Sequence, residues 1–252
     1  MRDEFAAAAA TLPDPFRLWL HESCGSTNDE ARTLGKTGSP SGAVVVANTQ
    51  SAGRGRRGAA WFGAPGDSLA FSILWRMQSP KPLWPRLALA TGLAVAEACE
   101  ASVPLIGIKW PNDVWIGGRK VAGILVEAGE DFVVAGVGIN VNTAAFPEEI
   151  ATSATSLARE CGRRVDRAAL LAGVLSRFAR HATRVDAGFH EVIDAVRQRC
   201  VLAGGKVAMR TQAGEMLRGD CDGIGPSGEL LVRREGELMR VLQADEVRPV
   251  AS

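Results

Sequence analysis

The stretch from 107 to 141 constrains the fold more than any other part of the sequence. It contains four apolar, strand-like runs that follow one another with only a few residues between them. Parallel strands need a crossover of roughly a dozen residues or more, whereas antiparallel strands can be joined by a tight turn. Pro, Asn, Gly and Asp, which tight turns prefer, occupy the breaks. The sequence therefore predicts antiparallel hairpins with strands over 107–110, 113–116, 120–128 and 132–141.

Helical and strand-like segments surround these hairpins. Ser26 can cap a helix, and Asp29 stands three residues later, as in a capping box. The run 84–101 carries Leu and Ala at helical spacing, which predicts a helix with a face of small residues. This mixture indicates an α+β fold in which helices flank a mixed or antiparallel sheet. Helices are predicted over 26–35, 84–101, 166–185 and 191–200, and further strands over 43–48 and 69–76.

The pattern changes after Gly205, where short strands recur at regular spacing. Such a series, broken by Gly-containing turns, is typical of a small all-β barrel. We therefore place a boundary near Ala203, with one domain over 1–202 and a second over 203–252. Strands are predicted over 206–211, 216–222, 229–233 and 238–242, with turns at 213–214, 225–228 and 235–236.

Composition argues against a strongly charged partner. The 252 residues include 29 basic and 28 acidic side chains, so the formal net charge is +1. That balance gives no general electrostatic reason to bind nucleic acid or an anionic membrane. Residues 1–16 carry acidic side chains where a signal peptide has positive charge, and their apolar stretch is short, so they are predicted to be a flexible lead-in. The five widely spaced cysteines indicate reduced thiols in the cytoplasm, and none forms a metal-ligand spacing with a histidine.

The segment 53–58, here called the Gly/Arg loop, formally satisfies the dinucleotide-binding pattern G-x-G-x-x-G. That pattern needs a helix directly after it to hold the pyrophosphate, whereas Gly63, Pro65 and Gly66 follow here. No kinase HRD or DFG segment and no Walker A sequence occurs in the chain. The Gly/Arg loop is therefore not part of a Rossmann, kinase or P-loop site.

The side chains of the Gly/Arg loop suit an anion. Arg54, Arg56 and Arg57 carry guanidinium forks that bind phosphate or carboxylate in a bidentate manner. From composition alone, a solvated basic loop or a nucleic-acid patch stays open. Trp61 and Phe62 could stack on a nucleobase in either case.

A second group of polar residues follows the strand that begins at Gly107. Lys109 stands at the strand end, and Asn112 with Asp113 could form an ordinary Asx turn, which spacing alone favours. The turn before Lys120 could bring this lysine back near Asp113. Further on, the run 136–142 has glycines at alternate positions, so one face of that strand is bare and suits close approach of a ligand or another strand.

Taken together, these segments closely resemble the motifs of biotin protein ligases in both order and spacing. The resemblance runs from Ser26 to Asn142, and the C-terminal β segment fits the family layout. The matching segments are S-T-N (26–28), Q-S-A-G-R-G-R-R-G (50–58) with Trp61, K-W-P-N-D (109–113), G-R-K-V-A-G-I-L-V-E (118–127) and G-V-G-I-N-V (136–141).

The resemblance implies a class II synthetase-like catalytic domain, an SH3-like C-terminal barrel, and a two-step ligase. Such enzymes join biotin to ATP, accompanied by Mg²⁺, and pass the biotinyl group to a lysine of the biotin carboxyl carrier domain of a carboxylase. The monofunctional type, without an N-terminal DNA-binding domain, is implied here. We therefore expect no DNA binding and no membrane association, and a homodimer is possible.

The resemblance also implies residue roles. Lys109 and Arg56 would stabilise the charge that develops at the α-phosphate, and Asp113 would orient Lys109 or help deprotonate the carrier lysine. Trp61 would pack at the adenine side. Biotin would contact Ser26, Thr27, Asn28, Gln50, Arg54, Gly55, Arg56 and Lys120, and the nucleotide would contact Arg57, Trp61, Asn112, Lys109 and Asn140, with no metal held by side chains.

This sequence departs from the family pattern after the Gly/Arg loop. Ala59 and Ala60 stand where many relatives carry a further basic residue, and Gly63-Ala64 replaces the usual Ser-Pro. These changes bear on how tightly the Gly/Arg loop orders. The alternatives are a lipoate–protein ligase, which shares the fold and the two-step logic, and a non-catalytic nucleic-acid-binding protein.

Overall fold

Two β-sheets organise the chain in this computed structural model, which describes residues 1–210, 215–244 and 246–250. The helices are α1 (Arg2–Thr11), α2 (Thr27–Lys36), α3 (Arg86–Cys99), α4 (Leu157–Cys161), α5 (Arg167–Ala182) and α6 (Phe189–Gln198). The strands are β1 (Arg17–Cys24), β2 (Ala43–Gln50), β3 (Ser68–Trp75), β4 (Gly107–Lys109), β5 (Asp113–Ile116), β6 (Arg119–Ala128), β7 (Val133–Asn140), β8 (Lys206–Arg210), β9 (Met216–Ile224), β10 (Leu230–Arg234), β11 (Glu237–Val241) and β12 (Glu246–Val250).

The larger sheet has seven strands in the order β1-β2-β3-β7-β6-β5-β4. Only β1 and β2 pair in parallel, and every other neighbouring pair is antiparallel. The predicted hairpins from β4 to β7 are confirmed. The smaller sheet has the order β11-β10-β9-β8-β12 and is antiparallel throughout. The predicted α+β fold class, with a second small β unit, is confirmed.

Helices cover both faces of the larger sheet. Alternate residues of a strand point to opposite faces, and the sheet accordingly borders two separate hydrophobic clusters. On one face α3 packs against α5 and β6, and it is buried almost along its whole length because its small residues permit close approach. On the other face α2 packs against β2, β3 and β7 with Ala31 fully buried. The part of this second face that α2 does not cover is available for a binding site.

The structure differs from the expected flexible lead-in at the N-terminus. Arg2–Thr11 forms α1, and the Phe5 side chain is fully buried in the main hydrophobic cluster. Glu4 also accepts a 2.8 Å hydrogen bond from Nε of the buried Arg167 in α5. One aromatic anchor and one ion pair thus hold a segment whose alanine-rich composition resembles a linker.

Several local predictions also differ. Ser26 is the N-cap of α2, but its side chain makes no capping hydrogen bond, and Asp29 pairs with Arg54 instead. The helix start was therefore predicted correctly and the capping box was wrong. Sequence patterns did not reveal β1, α4 or β12. The first is a half-exposed edge strand, α4 has only five residues, and β12 is an edge strand that contains Pro249.

The division into two domains stays a prediction. The chain passes from the last helix, which ends at Gln198, to the first strand of the smaller sheet at Lys206. The predicted turn at 213–214 lies outside the described residues. Among the residues that the structure describes, no helix combines the length and apolar character that crossing a membrane requires.

Replacing Phe5 by Ala tests whether α1 belongs to the folded core. The substitution removes a fully buried ring, so the free energy of unfolding is expected to fall by about 3 kcal/mol. Urea unfolding of the intact chain measures this change. Ala9→Ser on the exposed side of α1 is the matched control, with an expected loss of only roughly 0.5 kcal/mol. Equal midpoints for Phe5→Ala and the parent would show that α1 is not part of the core.

Candidate active site

A bare strip of β7 forms the base of the candidate site. Gly136 and Gly138 point to the same face, and Asn140 follows them on that face. A Cβ on Gly136 would lie 2.1 Å from Asn28 Oδ1, and one on Gly138 would lie 2.2 Å from Trp61 Cε2. Both distances are far below van der Waals contact, so only glycine permits these side chains to lie flat on the sheet. The bare face predicted from the sequence is present, and in this structure two side chains rest on it.

The buried start of α2 supplies a polar wall. Ser26, Thr27 and Asn28 are each almost fully buried. The Thr27 N–H donates to Gln50 Oε1 at 2.8 Å, and the Ser72 hydroxyl lies 2.6 Å from Asn28 Oδ1. Buried polar groups with several partners hold one orientation, because an unpaired buried amide costs about 1–3 kcal/mol. The wall is therefore pre-organised.

Ser72 was missed by sequence reasoning. It is the fully buried polar residue of β3 and pairs in register with Gly136. Its hydroxyl also lies 2.7 Å from Thr27 Oγ1, so it links the two α2 residues to the base of the site. The available signal was a serine in the middle of a strand that is apolar at every other position except its first residue, Ser68, as S-L-A-F-S-I-L-W shows.

The guanidinium of Arg54 is already paired. It donates to both carboxylate oxygens of Asp29, at 2.7 and 2.6 Å, and one nitrogen lies 3.8 Å from Glu127. The hydrogen bond from Arg54 lowers the pKa of Asp29, and the same bond raises the pKa of Arg54. Arg54 thus anchors the Gly/Arg loop to α2, and its fork is taken by a carboxylate of this chain.

Arg56 is in the opposite situation. It is partly buried and donates to Asn112 Oδ1 at 3.3 Å and to the Ala244 carbonyl at 2.9 Å, both neutral acceptors. Among the described residues no carboxylate lies within 4.0 Å of it. Burial lowers the pKa of Arg56, and the charge of Arg57 lowers it further. A partly desolvated cation with neutral partners is suited to receive an anionic ligand.

Two lysines share one carboxylate beside Arg56. Lys120 Nζ lies 2.7 Å from Asp113 Oδ1, and Lys109 Nζ lies 3.9 Å from Asp113 Oδ2. The predicted return of Lys120 to Asp113 is therefore present. Lys109 also lies over the Trp115 ring, 4.8 Å from its centroid, and burial lowers the pKa of Lys109. These three residues carry a net positive charge, which favours an anion at this end of the site.

A first cavity, enclosing about 50 Å³, brings most of the predicted residues together. It is small because Trp61 lies over Gly138 and Lys120 lies over Gly123 of β6, with Lys120 Nζ 2.8 Å from the position of a Cβ on Gly123. Its lining includes Ser26, Thr27, Asn28, Gln50, Arg54, Gly55, Arg56, Trp61, Asn112 and Lys120.

Four predicted residues do not line the first cavity: Arg57, Lys109, Asp113 and Asn140. Arg57, in a left-handed conformation, lines a neighbouring second cavity of about 710 Å³, which Arg56 and Asn112 also border. Asn140 is buried on the bare face and donates to the Thr155 carbonyl. Asn140 Oδ1 and Trp61 Nε1 are buried without a hydrogen-bond partner among the described residues. Two orphan polar atoms on the bare face suit a ligand that carries both donors and acceptors.

Comparison with known proteins agrees with this geometry. The model of the biotin/lipoate A/B protein ligase family matches residues 21–143. The chain is 34% identical over 237 residues to the bifunctional ligase/repressor BirA of Bacillus spizizenii, covering 90% of this chain and 73% of that relative. It is 33% identical to the biotin–[acetyl-CoA-carboxylase] ligase of Mycobacterium tuberculosis, covering 88% and 85%.

A solved structure is similar over nearly the whole chain. The biotin protein ligase from Aquifex aeolicus in complex with biotin and ATP matches with a TM-score of 0.84 at 30% identity, covering 92% of this chain and 99% of that one. The chain belongs to the biotin/lipoate A/B protein ligase family. Of these three relatives, two are biotin ligases and one is a bifunctional ligase/repressor.

Lys109→Met tests the electrostatic cost of the buried lysine. A lowered folded-state pKa means that the protonated lysine destabilises the fold below that pKa. The wild type regains this stability as the pH rises from that lowered pKa to the ordinary value of 10.5. Lys109→Met is therefore expected to raise the free energy of unfolding at pH 7, with a gain that shrinks toward pH 10.5, measured by urea unfolding.

Asp113 keeps its 2.7 Å partner Lys120 in the Lys109→Met variant, so no carboxylate is left unpaired. Lys206→Met, at an exposed lysine, is the control and should change stability by at most about 0.5 kcal/mol. A Lys109→Met variant that is less stable than the wild type at pH 7 would contradict the assigned cost.

Proposed function

We propose that this chain is a biotin protein ligase, which forms biotinyl-5′-AMP from biotin and ATP and transfers the biotinyl group to a lysine of a biotin carboxyl carrier domain. One observation carries the proposal. All eight residues expected to contact biotin line the first cavity, beside a cationic end that suits phosphate. The named relatives, which include ligases for biotin, support the same function.

The first half-reaction activates a carboxylate. A biotin carboxylate oxygen attacks the α-phosphorus of ATP, the bond from that phosphorus to the bridging oxygen breaks, and pyrophosphate leaves. Several negative charges meet in this step, so preplaced cations lower the barrier. Arg56, Lys109 and Lys120 are the cations best placed for this task. Arg54 holds the Gly/Arg loop against Asp29 instead of gripping the anion through its fork.

The second half-reaction forms an amide. The carrier lysine loses its ammonium proton, its Nζ attacks the biotinyl carbonyl carbon, and AMP leaves. Within the described part of the chain, Asp113 is the carboxylate that lies within 4.0 Å of both active-site lysines. It orients Lys109, or takes part in removing the proton of the carrier lysine.

The nucleotide lies along the bare face beyond the biotin wall. Trp61 moves off Gly138 and packs against the adenine, while Asn112 and Asn140 offer amide groups to it. Arg57 borders the second cavity and supports the phosphates. Mg²⁺ would accompany ATP, held mainly by phosphate oxygens and water. A homodimer, a cytoplasmic location and the absence of DNA binding stay predictions.

The decisive experiment is ATP–pyrophosphate exchange that depends on biotin, followed by transfer of biotin to a carrier domain. Lys109→Ala is expected to slow exchange by at least roughly 100-fold, because a preplaced cation at the reacting phosphate is lost. Lys206→Ala, in the smaller sheet, is the control and should keep the wild-type rate. Exchange that depends on lipoate and not on biotin would assign the chain to the other branch of the family.

Limited trypsin digestion tests closure of the Gly/Arg loop. Its arginines are cleavage sites, and ordering of the loop over the adenylate would exclude water and protease alike. Biotin plus ATP is expected to slow cleavage at 54–57 by about 10-fold or more. Cleavage in the exposed β10–β11 turn at Arg234 is the internal control and should not change. Equal cleavage rates at 54–57 with and without ligands would refute closure.

A further inference from the structure

Glu127, on β6, connects three side chains at the end of the first cavity that is far from Lys120. We propose that Glu127 is a positioning residue for biotin: it sets the orientation of the Asn28 amide and holds the Gly/Arg loop through Arg54. The inference rests on the proposed function, because it assumes that Asn28 and Arg54 face biotin. It assigns a role to a carboxylate that does not itself line the cavity.

The contacts of Glu127 join α2 and the Gly/Arg loop to β6. Glu127 Oε2 accepts a 2.6 Å hydrogen bond from Asn28 Nδ2, and it lies 3.8 Å from Arg54 Nη2. The other oxygen, Oε1, lies 3.4 Å from Arg32 Nη2. The Glu127 side chain is only 26% exposed, so these interactions are partly shielded from water.

The bond to Asn28 decides which amide atom faces which way. An ionised carboxylate accepts hydrogen bonds and cannot donate them, so it binds the amide NH₂ and rejects the amide oxygen. Ser72 completes the arrangement, because its hydroxyl lies 2.6 Å from Asn28 Oδ1 on the other side. Rotation of the amide by 180° would bring Oδ1 to the carboxylate and break the bond to Glu127, whereas the Ser72 hydroxyl can donate or accept and fits either orientation. Glu127 therefore fixes which end of the Asn28 amide donates and which accepts, and Ser72 binds the oxygen end.

The charge of Glu127 acts on the Gly/Arg loop. Arg54 binds Asp29 directly, and Glu127 is the second carboxylate within 4.0 Å of its guanidinium. Asp29 and Glu127 neutralise Arg54 and Arg32 at this end, whereas at the other end two lysines share one carboxylate of the described residues, Asp113. Glu127 lies four positions after Gly123 on β6, or about 13 Å along the strand. Because the lysines are this far away and two carboxylates stand nearby, the end near Asn28 does not attract the carboxylate of a ligand.

Glu127→Gln is the sharpest test, because it keeps the size of the side chain, removes its charge and permits either orientation of the Asn28 amide. Biotin affinity, measured by calorimetry on the intact chain, is expected to fall at least about 10-fold, as for a lost hydrogen bond to a charged group. The KM for biotin should rise in parallel, with kcat and the KM for ATP within about two-fold. Glu130→Gln, in the exposed turn after β6, is the matched control and should bind biotin as the wild type does.

A double-mutant cycle separates positioning from a general structural effect. In an Asn28→Ala background, Glu127→Gln should lower biotin affinity by a clearly smaller factor than in the wild type, because one of the two groups through which it acts is absent. The Arg54→Met background should likewise reduce the effect. Combining Asn28→Ala and Arg54→Met should abolish it, leaving a change below about two-fold. The inference is overturned if Glu127→Gln lowers biotin affinity in the Asn28→Ala/Arg54→Met background by the same factor as in the wild type. It is also overturned if Glu127→Gln alone leaves biotin affinity unchanged.

Thermal unfolding of each variant shows whether it folds. If Glu127→Gln does not fold, Glu127→Asp, which keeps the charge on a shorter side chain, replaces it in the same cycle with the same expected coupling. The experiment distinguishes a failure of this inference from a failure of the proposed function. A wild type without biotin-dependent exchange refutes the function, whereas an active wild type with normal biotin binding by Glu127→Gln refutes only the role of Glu127.

Discussion

The site depends on the absence of side chains at Gly136 and Gly138. Any Cβ at these positions would stand about 2 Å from Asn28 or Trp61, which is closer than atoms can approach. The two glycines thus set the depth of the polar wall and the position of the indole. Because Ser72 pairs with Gly136 across the sheet, the same glycine also admits the hydroxyl that binds Asn28. Backbone geometry in the most buried strand therefore determines where side chains of three other elements lie.

Charge is distributed unevenly along this base. At one end Asp29 and Glu127 neutralise Arg54, and at the other Asp113 is shared by two lysines while Arg56, among the described residues, donates to neutral acceptors. Charges that are partly buried interact more strongly than charges in water. A ligand with a neutral polar head and an anionic tail fits in one orientation, with its head at the neutralised end and its tail at the cationic end. Biotin, joined to a phosphate through its carboxylate, has that polarity.

The smaller sheet takes part in the site through the backbone. The Ala244 carbonyl accepts a hydrogen bond from Arg56, and the Gly228 carbonyl accepts one from the Trp110 indole. Main-chain acceptors carry no signal in a sequence, so this link between the C-terminal β segment and the Gly/Arg loop could not be predicted. The role of Asp29 was hidden for a related reason. Its position three residues after Ser26 fits a capping box, but the tertiary structure offers it a stronger partner in Arg54.

Local chemistry in the sequence was sufficient to predict the α+β class and the hairpins from β4 to β7, whereas the residues that gather in the first cavity were predicted from the resemblance to biotin protein ligases. Short turns permit only antiparallel pairing, and alternate glycines leave one face bare wherever the strand lies. Only the tertiary structure decided which cations stay available for an anion, because that depends on which carboxylate each one meets. It also decided that α1 docks through Phe5 and that Ser72 and Glu127 orient Asn28. These outcomes arise from contacts between residues far apart in the chain, and no local pattern contains them.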